Sequence, residues 1–242
     1  MGIFDIFYAG GSPEKQIKRY GAKLRNKDTP IEDRQAAAAW LAKNGSHDAI
    51  MALVGRFEMT YEHHMKDASE KDDVSNYVLN LGKKAIEPLA AYLRRARQFA
   101  RPLALYEQLA GRDAAVLLAL ELLEVESRVS ELKPEKKREL LVKLAEYRDA
   151  RVVEPVLPML DAFDEGVRYA AVEVLLAQDE TPAIRDALLD RLASPEEESG
   201  RLRGRIAQVA ASRRWPLGER SGAVAARLPQ GVRLVDDVLQ AT

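Results

Sequence analysis

The sequence predicts an all-α chain built from stacked pairs of helices. A recurring pattern is the first sign. Arg34 sits in Asp33-Arg34-x-x-Ala37-Ala38-x-x-Leu41, and Arg168, 134 residues later, sits in Val167-Arg168-x-x-Ala171-Val172-x-x-Leu175. A second pattern agrees with it. Ala85-Ile86-Glu87-Pro88-Leu89 returns as Val152-Val153-Glu154-Pro155-Val156 at a spacing of 67. Two units in 67 and four in 134 both give 33.5 residues per unit, a period typical of stacked supersecondary modules. Composition is the third sign. Apolar residues make up 47% of the chain and aromatics only 6%, and the apolar set is mostly Ala and Leu, which suits close helix packing better than sheets.

The elements follow in chain order. Residues 1–11 form an apolar segment ending in Gly10-Gly11, which breaks any helix. Ser12-Pro13-Glu14 sets an N-cap before a proline at the first helical position, so a helix runs from there to about Lys27. Asp28-Thr29-Pro30 closes it and caps the helix of the Arg34 pattern, which stops at Asn44-Gly45. Ser46-His47-Asp48 opens a third helix, with Ile50, Leu53, Val54 and Phe57 at helical spacing. Residues 60–70 are polar and read either as an extension of that helix or as a long connection. A shortened copy of the arginine pattern covers Asp73–Gly82. A helix from Ala85 to about Phe99 follows, then a short one from Arg101-Pro102 to Gly111.

Ala114–Val125 is apolar nearly all round, so central burial is expected. Further helices cover Pro134–Tyr147, Val153–Asp161 with a distortion at Pro158, and the Arg168 pattern. Thr181-Pro182 caps the next, through Leu192. Glu196-Glu197-Glu198 after Ser194-Pro195 reads as a helical first turn, where the helix dipole favours negative charge. The last clear helix spans Arg201–Arg213. In the tail, 214–242, Leu234, Val235, Val238 and Leu239 read as one capping helix. The total is roughly twelve helices and no strand.

Composition also excludes chemistry. Without cysteine there is no disulfide, thiolate zinc site, iron–sulfur cluster or cysteine nucleophile. A formal net charge of −1 gives no global field towards nucleic acid or anionic membrane. No stretch approaches the ~18 apolar residues of a membrane span, and the apolar start lacks the length of a secretory signal. The cytoplasm is the expected location.

These residues resemble HEAT repeats, in the short bacterial subtype named after phycobilisome lyases. That subtype reads Ala/Val-x-Glu-Pro-Leu, then Asp-x-x-Val-Arg-x-x-Ala-x-x-Ala-Leu. Asp164-Glu165-Gly166-Val167-Arg168-Tyr169-Ala170-Ala171-Val172-Glu173-Val174-Leu175 matches best, and the Arg34 and Val74 segments match less fully. The resemblance covers about 12–213. It implies a right-handed α-α superhelix, a HEAT-like solenoid of about five to six helix pairs, with 214–242 as its cap. It further implies that Asp33, Arg34, Asp164 and Arg168 are structural, pairing between neighbouring modules and satisfying helix ends. The implied function is a non-enzymatic scaffold that holds a protein segment on its concave surface, with no cofactor.

The candidate chemistry is sparse. His63-His64 with Glu62 and Asp67 is the one cluster of metal-ligand types. Adjacent histidines diverge by about 100° on a helix, so the reading is a solvated connection and no metal. Gly10-Gly11 lacks the Lys-Ser/Thr of a phosphate loop, and no Gly-x-Ser-x-Gly elbow occurs. The partner-binding candidates are Arg94, Arg97 and Arg101, which share a face if their helix continues, and Arg201, Arg205, Arg214 and Trp215. They read either as contacts to an acidic protein segment or as a solvated face neutralised by Glu196–Glu198. Trp40, beside Leu41, is expected to pack. Trp215 is expected to be the more exposed, or to cover the last module. Residues 3–8 read as a cap on the first module or a weak membrane contact. Nucleic-acid binding, as in bacterial DNA glycosylases with HEAT-like arrays, is the alternative function.

Overall fold

The computed structural model describes residues 12–128 and 134–242, and these are predominantly helical. The segment 1–11, with its expected capping or membrane contact, lies outside the described residues. The chain divides into two compact units, one ending at Leu118 and the other beginning at Ala119.

In the first unit, α1 (Pro13–Leu24), α2 (Ile31–Asn44), α3 (His47–Val54), α4 (His64–Leu81), α5 (Ile86–Leu93) and α6 (Ala100–Ala110) precede the start of α7 (Arg112–Ser127). The caps explain most boundaries. The Ser12 and Ser46 hydroxyls accept the Lys15 and Ala49 N–H groups, satisfying first-turn donors of α1 and α3. Gly45 ends α2 at φ 61°, a left-handed conformation that costs glycine nothing. α3 packs between α1 and α5, while α2, α4 and α6 form the other layer. A Cβ on Gly21 would lie 3.0 Å from the Ala52 Cβ, so glycine lets α1 close on α3. Leu53, Leu89 and Leu93 are fully buried between the layers, each stabilising by about 1.5–3 kcal/mol.

Three expectations change here. The polar stretch after α3 is only a short connection, because α4 already begins at His64. The helix expected from Ala85 to Phe99 stops at Leu93, so Arg94, Arg97 and Arg101 share no helix face. α7 is also not buried all round: Leu117 and Val125 are each 50% exposed.

The second unit holds α8 (Glu135–Leu144), α9 (Val153–Val156), α10 (Glu165–Ala177), α11 (Pro182–Ala193), α12 (Gly200–Arg213) and α13 (Ser221–Ala226). Both Glu-Pro segments enter their helix from a 3-10 turn, over Gly82–Ala85 before α5 and Ala150–Val152 before α9. After Val156 the chain tightens into a 3-10 turn over Leu157–Asp161, because Pro158 has no N–H for the α ladder. α10 packs against α8 and reaches α11 and α12.

The tail corrects the expected capping helix. Val232–Val235 (β1) and Val238–Ala241 (β2) form an antiparallel hairpin, with Val235 opposite Val238. Asp236 and Asp237 turn it at φ 44° and 67°, the two positive φ values of a type I′ loop. Leu239 and Val232 are buried, and β2 packs on α12. For Trp215 the exposed alternative is corrected. The residue is 2% exposed and its indole N–H donates to Glu180 at 2.9 Å. Trp40 is the half-buried one, stacked 4.3 Å from the Tyr20 ring.

Candidate functional site

The repeated arginines each build the same cluster. On α2, Arg34 makes two parallel bonds to Glu70 of α4, Nε to Oε2 at 3.1 Å and Nη2 to Oε1 at 2.6 Å. Its Nη1 donates to the Lys27 and Thr29 carbonyls, in the loop that enters its own helix. Arg56, fully buried after α3, adds bonds to Glu70 at 3.2 Å, Asp67 at 2.8 Å and the Met59 carbonyl at 2.9 Å. Both guanidinium groups lie over the Tyr61 ring, 4.5 and 4.8 Å from its centre.

In the second unit, Arg168 repeats the geometry on Glu197, with Nε at 2.8 Å and Nη2 at 3.0 Å. Its Nη1 donates to the Ala162 and Phe163 carbonyls, again just before its own helix. Arg191 takes the place of Arg56, bonding Glu197 at 2.7 Å and Asp161 at 3.0 Å. Arg56 follows Arg34 by 22 residues, and Arg191 follows Arg168 by 23.

Electrostatics follow the geometry. The Glu70 hydrogen bond holds the Arg34 guanidinium charged against its burial, and Glu197 does the same for Arg168. Burial opposes the Glu197 charge, but bonds from Arg168, the Ser199 N–H and Arg191 outweigh it and lower its pKa. At Asp67, burial is likewise outweighed by Lys71 and Arg56. The helical first turn expected at Glu196–Glu198 does not form there. Glu197 lies instead in the turn before α12, fully buried, while Ser199 caps that helix. Of the other motif residues, Asp164 caps α10 by accepting the Val167 N–H at 2.9 Å. Asp33 caps nothing and lies 3.8 Å from Lys23.

A second feature is open. In the first unit a cleft of about 780 Å³ crosses α1, α3 and the end of α5. Its apolar lining is Ile17, Gly21, Met51, Ala52 and Ala96. Its cations are Lys18, Arg25, Arg95 and Arg97, and its acids are Glu14, Asp48 and Glu58. Glu58 Oε1 accepts both the Tyr92 hydroxyl at 3.1 Å and the Arg97 N–H at 3.0 Å. Burial and that carboxylate together raise the Tyr92 pKa, so the phenol stays protonated.

The candidate arginines are dispersed. Arg97 lines the cleft. Arg94 is exposed just past α5 and makes its own interactions, while Arg101 pairs with Asp72. In the second unit, Arg201 lies 3.7 Å over the Tyr169 ring and Arg205 pairs with Glu173 at 2.6 Å. Arg213 and Trp215 both bond Glu180. Arg201 and Arg205 are therefore met by Tyr169 and Glu173 of α10, and Arg213 by Glu180 just beyond it, and not by Glu196–Glu198. Arg214 is an exposed left-handed cap. The cleft residues Lys18, Arg25 and Arg95 carried no repeat signal. The spacing of α1, α3 and α5 brings them together.

Among the described residues no His, Asp and Glu set has metal-binding geometry, and no helix is long and apolar enough to cross a membrane. Neither the family models nor the curated proteins with which the sequence was compared give a match.

Proposed function

We propose that this chain is a HEAT-like repeat protein of the right-handed α-α superhelix class, a non-enzymatic cytoplasmic scaffold that holds a segment of another protein. The repeat reading is supported by the twofold Arg–Glu–Arg cluster, in which each motif arginine grips the loop before its own helix and a carboxylate beyond it. Such modules expose long faces that bind by many small contacts.

The binding reading rests on one observation, the open cleft over α1, α3 and α5. It joins an apolar floor to a polar rim, the combination that places an extended chain by side-chain packing and main-chain bonds. Its acids stand among its cations, so the field is mixed. That favours a protein segment over the continuous phosphate line of nucleic acid. A photo-crosslinking residue at Met51, in cells, tests the reading. It should capture a defined segment of one partner, while the same probe at Val142, 61% exposed on α8, should not. Equal capture from both positions would overturn the proposal.

A further inference from the structure

The cations of the cleft differ from most other arginines of the chain in one respect. Arg101, Arg205, Arg213 and Arg220 each pair with a carboxylate, and Arg34, Arg56, Arg168 and Arg191 lie in the buried clusters. Around the cleft, no ion pair forms to Lys18, Arg25, Arg95 or Arg97 among the described residues. Arg25 Nε donates only to the Gly21 carbonyl, and Arg95 meets only the Met51 sulfur, at 3.8 Å. Among the acids of the cleft, Glu58 is already taken by Tyr92 and the Arg97 backbone.

We propose that the cleft over α1, α3 and α5 selects an acidic, extended protein segment, with carboxylates that meet these cations and an apolar side chain that enters the cleft floor. The inference rests on the binding reading above and adds the chemistry of the partner. Lys18 and Arg25 stand on the α1 side, and Arg95 and Arg97 follow α5, with α3 between. Their heads converge over α3: the Arg25 guanidinium lies over Gly55 at the end of that helix, and Arg95 Nη2 reaches the Met51 sulfur at 3.8 Å. An extended chain crossing α3 sets its carboxylates within reach of both cations. Ile17, Met51 and Ala96 receive the apolar side chain. Glu14 and Asp48, on the first turns of α1 and α3, also line the cleft. They repel a polyanion charged at every step but leave isolated carboxylates room to sit beside the cations.

The test is fluorescence anisotropy on the whole chain with a labelled pool of peptides. The pool carries a Glu pair at each end of a randomised apolar centre, and a matched pool carries Gln instead. The Glu pool should bind at least about tenfold more tightly, and raising the salt should erase the difference. Arg25→Gln/Arg97→Gln should lose the preference, whereas Arg205→Gln, at a paired arginine of α12, should keep it. Both altered cleft arginines are exposed, and circular dichroism checks that the variant folds. Equal binding of the Gln pool overturns the inference, as does tighter binding of single-stranded DNA or a cleft-dependent dimer of the chain itself. If Met51 still captures one segment while the pools bind equally, the scaffold stands and the acidic preference falls. If neither happens, both fall.

Discussion

Replacing Glu197 by Gln probes the buried arginine cluster of the second unit. The carboxylate takes four donors: Arg168 Nε at 2.8 Å and Arg191 Nε at 2.7 Å on Oε2, and Arg168 Nη2 at 3.0 Å and the Ser199 N–H at 2.9 Å on Oε1. A glutamine amide has only one oxygen. Whichever way it turns, two of those donors face an NH₂ group. Each buried donor left without an acceptor costs about 1–3 kcal/mol, and breaking a buried ion pair from one side costs about 3–5 kcal/mol. We expect a loss of about 3–5 kcal/mol. For a chain of this size 1 kcal/mol moves Tm by about 2–4 °C, so the drop should exceed about 6 °C in a thermal melt followed by circular dichroism. Hydrogen exchange should rise first in α10, α11 and α12. The folded pKa of Glu197 lies below its ordinary value of 4.5. Its contribution is therefore complete above that value and is lost as pH falls through the folded pKa. The gap between parent and variant should be constant near neutral pH and should close in acid. A drop under about 2 °C at neutral pH would refute the reasoning.

Other expectations follow from the same geometry. Glu70→Leu alone should cost about 3–5 kcal/mol, but Arg34→Met/Arg56→Met/Glu70→Leu should stay within about 2 kcal/mol of the parent, because the remaining Asp67 keeps Lys71 at 2.7 Å and no buried charge is left unpaired. Urea unfolding checks both, and a triple variant as unstable as the single one would contradict the account. Gly21→Val should push α1 off α3, since even a Cβ there would come within 3.0 Å of the Ala52 Cβ. The expected loss is about 1–3 kcal/mol, and an unchanged melt would show that the helices do not approach so closely. Iodide should quench Trp40 well before Trp215, which is 2% exposed. Single-tryptophan variants separate the two, and the reverse order would contradict the described tail.

The helical class was readable because local signals agreed. Ser12-Pro13, Thr181-Pro182 and Gly45 are capping chemistry, and their helices start or stop there. The tail was misread because Leu234, Val235, Val238 and Leu239 also fit a helical spacing. The deciding signal was Asp236-Asp237 between valines, a two-residue loop whose positive φ aspartates tolerate. The stretch Arg94–Phe99 gives no such signal, since nothing in its composition marks the end of α5 at Leu93. Arg34 and Arg168 were visible as a repeat, but their partners Glu70 and Glu197 lie 36 and 29 residues downstream. Unequal spacing hides a pair from any periodic reading. The cleft was less visible still, because Lys18, Arg25, Arg95 and Arg97 come from separate elements and only packing unites them.

The claim that the α1–α3–α5 cleft is the binding surface is tested most directly by amide chemical-shift mapping of the whole chain, titrated with the Glu-pair peptide pool. Shifts should gather on Ile17–Arg25, Met51–Gly55 and Tyr92–Arg97, and should vanish in Arg25→Gln/Arg97→Gln. Shifts centred on α10 and α12 instead, or no shifts at saturating peptide, would contradict it.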